Sequence, residues 1–304
     1  MRMAETVAVS IRRRKLQNSI FTLLFFSSAL VATVTLVVIY ATLIYESIGF
    51  FQHVSILEFI TGTSWTVLFE DKKFGVLPIF NATLITSGIA IALAAPAGLA
   101  AAIFLSEYAS TRVRSVVKPV IETLSGIPTV VYGYFALYFL TPEFLRQLLP
   151  GLGIHNALAV GLMIGVLILP IVASISDDAL LAVPADLRFG AYALGARKVD
   201  VVIRIVVPAA LSGITASVIL AFARAMGETM VAAIAGGFRP ILSWDASQAM
   251  ETMTAYIAQV ATGDAPHGTI EYQSLFSVGL FLLLVTALLN FLGLKVVKRW
   301  AIRY

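Results

Sequence analysis

The chain has 304 residues, of which 59% are hydrophobic and only 12% charged, about half the charged share of an ordinary soluble domain. With a mean hydropathy of +0.93 and no cysteine, this excludes a soluble globular domain, a disordered chain and a disulfide scaffold. The net charge of +4 is no nucleic-acid signature, because the basic residues flank apolar segments as membrane topology requires.

Crossing a hydrocarbon core ~30 Å thick takes ~20 apolar residues, and six segments qualify. The first is Ile20 to Ile44, uncharged and with fifteen Leu, Ile, Phe or Val residues. The second is Ile79 to Leu105. The third is Val116 to Leu140, with Lys118 and Glu122 near its start and Ser125-Gly126-Ile127-Pro128 interrupting it. The fourth is Ala157 to Ser176, the fifth Ala209 to Ala235 and the sixth Tyr272 to Leu294. The expected fold is an all-α membrane protein of six spans. The apolar length of the first span exceeds a signal-peptide core, so it reads as an uncleaved anchor.

The basic residues orient the set. Arg2, Arg12, Arg13, Arg14 and Lys15 precede span one; Arg112, Arg114 and Lys118 lie between spans two and three. Arg188, Arg197, Lys198 and Arg204 lie between four and five; Lys295, Lys298, Arg299 and Arg303 follow six. The opposite side has Lys72, Lys73, Arg146 and Arg239. Sixteen against four places both termini in the cytoplasm by the positive-inside rule. Residues 1–19 are then a cytoplasmic segment and 20–304 one membrane domain.

On the outer side, Trp65 in the Gly49 to Pro78 loop suits an interfacial anchor. Asp245 to Gln248 resembles a capping box, and Met250, Met253, Ile257 and Val260 follow at helical spacing, predicting a short amphipathic helix. On the inner side, Ser176 to Pro208 is too polar to span. Pro184 suits a first helical turn, Asp186 lies near its N-terminus, and Gly195 is placed where a positive φ favours glycine. A helix over about 184–195 is predicted there, either an interfacial helix or a handle for a cytoplasmic partner.

No Gly-Lys dipeptide occurs, so there is no G-x-x-x-x-G-K-[ST] phosphate loop, and there is no H-E-x-x-H. His53, His155 and His267 are scattered through outer loops. Neither a catalytic nor a metal site is expected.

Span five carries the chemistry. Arg224 and Glu228 stand i,i+4, on one face of a helix. Each charge costs ~2.5–3.5 kcal/mol at a span centre, and each Leu, Ile, Phe or Val returns ~0.3–0.6. Eight such residues between Ala209 and Ala235 offset roughly 2–5 kcal/mol of the roughly 5–7 that the two charges cost. The span therefore faces protein or water at that depth. The pair is either a structural ion pair or a polar point on a solute path, where arginine's forked donors suit an oxyanion. Thr229, Thr86 and Pro128, together with Thr83, Ser87 and the Pro96 interruption of span two, are further candidates for that path.

These residues carry a resemblance. Gly190-Ala191-Tyr192-Ala193-Leu194-Gly195, then Ile205-Val206-Val207-Pro208, resembles the EAA motif of type I ABC importer membrane subunits. In that family the motif forms a coupling helix that docks on the ATPase subunit. Phe189-Gly190 stands where the motif has its leading Glu-Ala, so the family's acidic contact has no counterpart. Phe74 to Pro78, Ala101 to Tyr108, Gly126 to Gly133 and Arg224-Ala225-Met226-Gly227-Glu228-Thr229-Met230 are similar to the phosphate-specific importer permeases. Within these, the chain is more similar to PstC-type than to PstA-type subunits.

The resemblance implies a plasma-membrane permease without catalytic activity. Its implied partners are a homologous PstA-like permease subunit, two ATP-binding subunits that hold ATP and Mg, and an extracytoplasmic phosphate-binding protein. It links Arg224 and Glu228 to phosphate transport, and Pro184, Asp186, Ala191, Gly195 and Pro208 to ATPase coupling. The alternatives are a permease for molybdate, tungstate or sulfate and an ATP-independent secondary transporter.

Overall fold

Backbone amides in hydrocarbon have no water to bond, and a helix satisfies them within one segment. The computed structural model, which describes residues 2–300, is accordingly helical. In chain order, α1 is Arg2–Phe51, α2 Ile56–Thr61, α3 Leu77–Tyr108 with a π-wound last turn, and α4 Thr111–Gly126. Next come α5 (Thr129–Leu148), α6 (Ala157–Leu181), α7 (Ala185–Ala193) and α8 (Lys198–Ala209). The chain closes with α9 (Leu211–Met226), α10 (Met230–Ala235), α11 (Met253–Gln259) and α12 (Ile270–Trp300). The side chains of Arg2, Arg12, Arg13, Arg14, Lys15, Lys298, Arg299 and Arg303, on which the orientation partly rests, lie outside the described residues.

Among the described residues, four helices, in α1, α3, α6 and α12, are long and apolar enough to cross a membrane alone, and there are up to six spans if each of two bent pairs is one span. The straight third span expected over Val116 to Leu140 is not observed: α4 and α5 meet at 85°. Pro128 pushes Ile127 out of the helical region, to ψ 130°, as a residue before proline prefers. The expected fifth span over Ala209 to Ala235 is divided as well. A 68° bend between α8 and α9 stands at its start, and within it α9 stops at Met226 before α10 resumes. Pro96, by contrast, lies inside α3 without breaking it.

The core is the α3–α6 contact. A Cβ on Gly161 or Gly165 of α6 would come within 3.0 Å of the Thr86 or Ala90 carbonyl oxygen of α3, the close backbone approach that small residues allow between membrane helices. Ala90, Ala94, Val160, Ile164, Ile168 and Val172 fill this contact. A buried Ser176–Ser217 hydrogen bond of 2.9 Å joins α6 to α9.

The end of the bundle opposite α7 is closed by aromatic rings. Trp65 meets Tyr256 edge-on at 4.9 Å and Phe50 meets Phe74 at 5.3 Å. Trp65 is only 2% exposed, so the expected interfacial anchor is instead a core residue. The Trp65–Phe74 bridge folds its loop inward, and Lys72 pairs with Glu271 of α12 to hold it.

The amphipathic helix expected from Asp245 is also corrected. Asp245 accepts from the Ser247 N–H at 2.9 Å, the Ser247 hydroxyl at 2.7 Å and Gln248. It thus closes a local turn rather than a helix, as Asp does readily. The Ser247 and Gln248 donors hold its carboxyl below the ordinary carboxylate range. Helix α11 starts after Thr252, whose hydroxyl accepts from the Ala255 N–H. Met253, Tyr256 and Val260 are buried, so the helix is internal.

The aromatic closure depends on Gly62 meeting Gly75 backbone to backbone. A Cβ on Gly75 would lie 2.3 Å from the Gly62 carbonyl carbon. Gly75→Ala is therefore expected to cost about 1–3 kcal/mol, read as a lower melting temperature of the detergent-purified chain. An unchanged melting temperature would contradict the packing described.

Candidate functional site

Arg224 lies in the last turn of α9, and Glu228 lies in the break before α10. The two are not on one helix as expected, yet they pair: Arg224 Nη1 donates to Glu228 Oε2 at 2.6 Å. The break has local causes. Gly227 is a poor helix former, and the Glu228 N–H turns back to the Ala225 carbonyl at 3.2 Å, tightening the last turn. Glu228 Oε1 faces the Val231 N–H at 3.5 Å, placing the carboxylate at the start of α10, where the helix dipole favours negative charge. The Thr254 hydroxyl of α11 donates to the Glu228 carbonyl at 2.7 Å. This satisfies a backbone group that the break had freed.

The pair is asymmetric. The Glu228 side chain is 3% exposed and that of Arg224 41%. Among the described residues, Arg224 Nε and Nη2 have no partner. Thr229 is half-buried, its hydroxyl 3.4 Å from the Gly227 carbonyl.

The two breaks lead into helices that lie together. Gly133 of α5 sits against Ile234 and the Met230 carbonyl of α10, where a Cβ would stand 2.9 Å from Ile234 Cβ. Pro128 is exposed at the N-terminus of α5. Thr86 is elsewhere: it is buried in α3 against α6, and its hydroxyl donates to the Ala82 and Thr83 carbonyls. Thr83 does reach the neighbourhood, since its hydroxyl accepts from the Met253 N–H at 3.0 Å.

At the other end of the bundle, α7 forms where the sequence predicts. Pro184 precedes it in extended geometry, Asp186 is exposed in its first turn, and Ala191 is its buried residue. Gly195 has φ +80°. Its N–H donates to the Tyr192 carbonyl at 2.9 Å, and the Ala196 N–H donates to the Ala191 carbonyl at 3.2 Å, the paired bonds of a Schellman closure. Pro208 lies two residues before the bend at Ala210. Phe189 and Leu194 are exposed, Leu194 by 90%.

Residues 94–301 match the family described as "Binding-protein-dependent transport system inner membrane component". The chain belongs to this family. It is an ABC importer permease, a multi-pass plasma-membrane subunit, and the family implies ATPase and substrate-binding partners. Membership sets aside the ATP-independent transporter. The permease is 37% identical to "Probable ABC transporter permease protein YqgH" of Bacillus subtilis, over 77% of this chain and 75% of that one. It is 33% identical to "Phosphate transport system permease protein PstC" of Mesorhizobium japonicum, over 76% and 75%. Its fold resembles that of a bacterial alginate ABC transporter solved with its periplasmic protein, with a TM-score of 0.64 at 16% identity, covering 91% of this chain and 95% of that chain.

The sequence reading missed what holds the permease's α7 in place. Arg188 inserts beneath the helix, donating to Glu107 Oε1 at 2.8 Å and to the Val183 and Leu180 carbonyls at 2.7 and 2.8 Å. Arg188 had counted only as a topological charge. The available signal was Glu107, an acid at the end of an apolar span and therefore in need of a partner.

Proposed function

We propose that this permease is the PstC-like subunit of an importer for inorganic phosphate, working by alternating access. It pairs with a PstA-like subunit above two ATP-binding subunits that hold ATP and Mg, and an extracytoplasmic phosphate-binding protein delivers the anion. Both termini and α7 lie on the cytoplasmic side, the reading favoured by the sixteen-to-four split of basic residues. From there, the 13 residue steps from Leu211 to Arg224 rise ~20 Å at ~1.5 Å per residue, deep within the membrane.

The observation that carries the proposal is the asymmetry of the charge pair. A buried carboxylate holds a half-exposed guanidinium by one nitrogen. The rest of the fork is left to engage a planar or tetrahedral oxyanion. Glu228 also trims the net charge, which keeps the anion releasable, as conduction demands. Phosphate is favoured over other oxyanions by the Arg224 to Met230 segment and by relatives that carry the phosphate-transport name. Sulfate, molybdate and tungstate share the same arginine chemistry and form the second reading.

ATP binding would drive α7 through Pro184, Asp186, Ala191 and Gly195, with Pro208 at the bend that leads into α9. The exposed Phe189 then meets the ATPase with an apolar contact where the EAA motif carries an acid.

Two substitutions test these roles. Arg224→Gln is expected to assemble normally and to lower phosphate uptake about 10–100-fold, the size of one charge-assisted contact. Wild-type uptake by the variant would refute the role, and uptake suppressed by excess sulfate or molybdate would move the substrate to another oxyanion. At Gly195, an added Cβ meets nothing within 4 Å, so Gly195→Ala acts through φ alone, at about 1–2 kcal/mol. It is expected to reduce the ATPase subunit co-purifying with the permease about tenfold while insertion is unchanged. Full co-purification would remove the coupling assignment.

A further inference from the structure

Helix α4 turns charged residues toward the bundle. It has no buried residue, and its valines Val113, Val116 and Val120 are 41%, 63% and 60% exposed. Its charges point at α6 instead. Arg114 Nη2 donates to Asp177 Oδ2 at 2.7 Å, Lys118 Nζ donates to the same oxygen at 3.0 Å and to Asp178 Oδ1 at 2.9 Å, and Glu122 Oε1 accepts from the Ser174 hydroxyl at 3.1 Å. Arg114, Lys118 and Glu122 recur every four residues, so they form one face. Val117, Ile121 and Leu124 are half-buried along the same stripe, so α4 is attached by these ion pairs together with a narrow apolar contact.

Asp177 is the centre of that attachment. Its side chain has no exposure, and a carboxylate there must be paired to remain charged. It serves two cations through one oxygen, while Oδ1 has no partner among the described residues. Losing these two cations would leave a fully buried charge uncompensated, which is strongly destabilising, so the hold of α4 on α6 rests on this carboxylate. The helix itself is bounded by extended residues, Ala109 and Ser110 on one side and Ile127 on the other.

Both ends of this attachment lead to α7. Asp177 lies four residues before the end of α6, which is followed at once by α7. Arg188 of α7 holds Glu107, four residues before α4 begins. At its other end α4 turns at Ile127 and Pro128 into α5, which packs on α10 beside the Arg224–Glu228 break.

We infer that Asp177 is a positioning residue: it latches α4 to α6, so that displacement of α7 changes the α4–α5 angle and with it the surroundings of Arg224. The inference rests on the reading of α7 as the coupling helix. The latch is closed in this structure. Opening it frees α4 to swing between its two extended ends.

The test uses the assembled importer in proteoliposomes, with spin labels on cysteines placed at Val116 and Leu181, both exposed. This chain has no cysteine of its own, so within it the labels are unique. The wild-type latch is expected to give one narrow distance without nucleotide and a shifted one with ATP trapped. Asp177→Asn, nearly the same shape without the charge, is expected to broaden the nucleotide-free distance. It should also lower uptake per ATP hydrolysed about tenfold, within the usual range of coupling between sites. If Asp177→Asn does not assemble, Arg114→Gln combined with Lys118→Gln removes the same contacts from α4 and carries the same expectations. Identical distances with and without ATP, or a latch variant with wild-type distances and wild-type uptake per ATP, would overturn the inference. Failure of the ATPase subunits to co-purify with the unlabelled wild type would instead strike the coupling reading.

Discussion

A carboxylate buried in an apolar bundle must be paired, and the pairing of Glu228 organises the centre of this permease. Its side chain takes a cation from α9, and its carbonyl takes a hydroxyl from α11. With both satisfied, the backbone can leave the helix at Gly227 and resume at Met230. Without them the break would strand polar groups in a medium where each costs several kcal/mol. The cation left half-exposed by this arrangement is Arg224, the residue on which the proposed chemistry turns.

Support for that centre arrives from a distance. Thr254 is presented by α11, which is tied to α3 through Thr83 and to α12 through a Tyr256–Ser274 hydrogen bond of 2.6 Å. The ring of Tyr256 stacks edge-on against Trp65 in the aromatic closure. A loop that looks peripheral therefore fixes the helix that completes the break. At the opposite end, Arg188 and Asp177 fix α7 and α4 by the same device, a charge held among carbonyls or counter-charges. Rigid packing joins these points through the small-residue contact of α3 with α6.

The features that were legible in the sequence were those carried by local pattern. The apolar segments summed to six spans because hydropathy integrates over twenty residues. The closure of α7 was legible because Gly195 at its position has one good conformational use. Arg224 and Glu228 stood out because charges in apolar runs are costly. The bends were not legible, because proline does not act alone. Pro96 and Pro170 lie inside continuous helices, whereas Pro128 follows Ser125 and Gly126 and ends one. Trp65 misled because its ring suits an interface and a core equally. The ion pairs of Asp177 join residues 59 and 63 apart in sequence, a separation at which no periodicity survives. In the sequence Arg114, Lys118 and Arg188 were visible only as charges near an inner membrane surface.

The central claim is that Arg224 meets the transported anion while Glu228 remains at its back. The most direct measurement is a high-resolution map of the assembled importer. It should be trapped by a hydrolysis-deficient ATPase subunit in the presence of the phosphate-loaded binding protein. Anion density is expected at hydrogen-bond distance, about 3 Å, from the Arg224 guanidinium, with the Glu228 contact retained. Anion density elsewhere along the bundle, with Arg224 engaged by Glu228 alone, would contradict it and leave the pair a structural feature of the break.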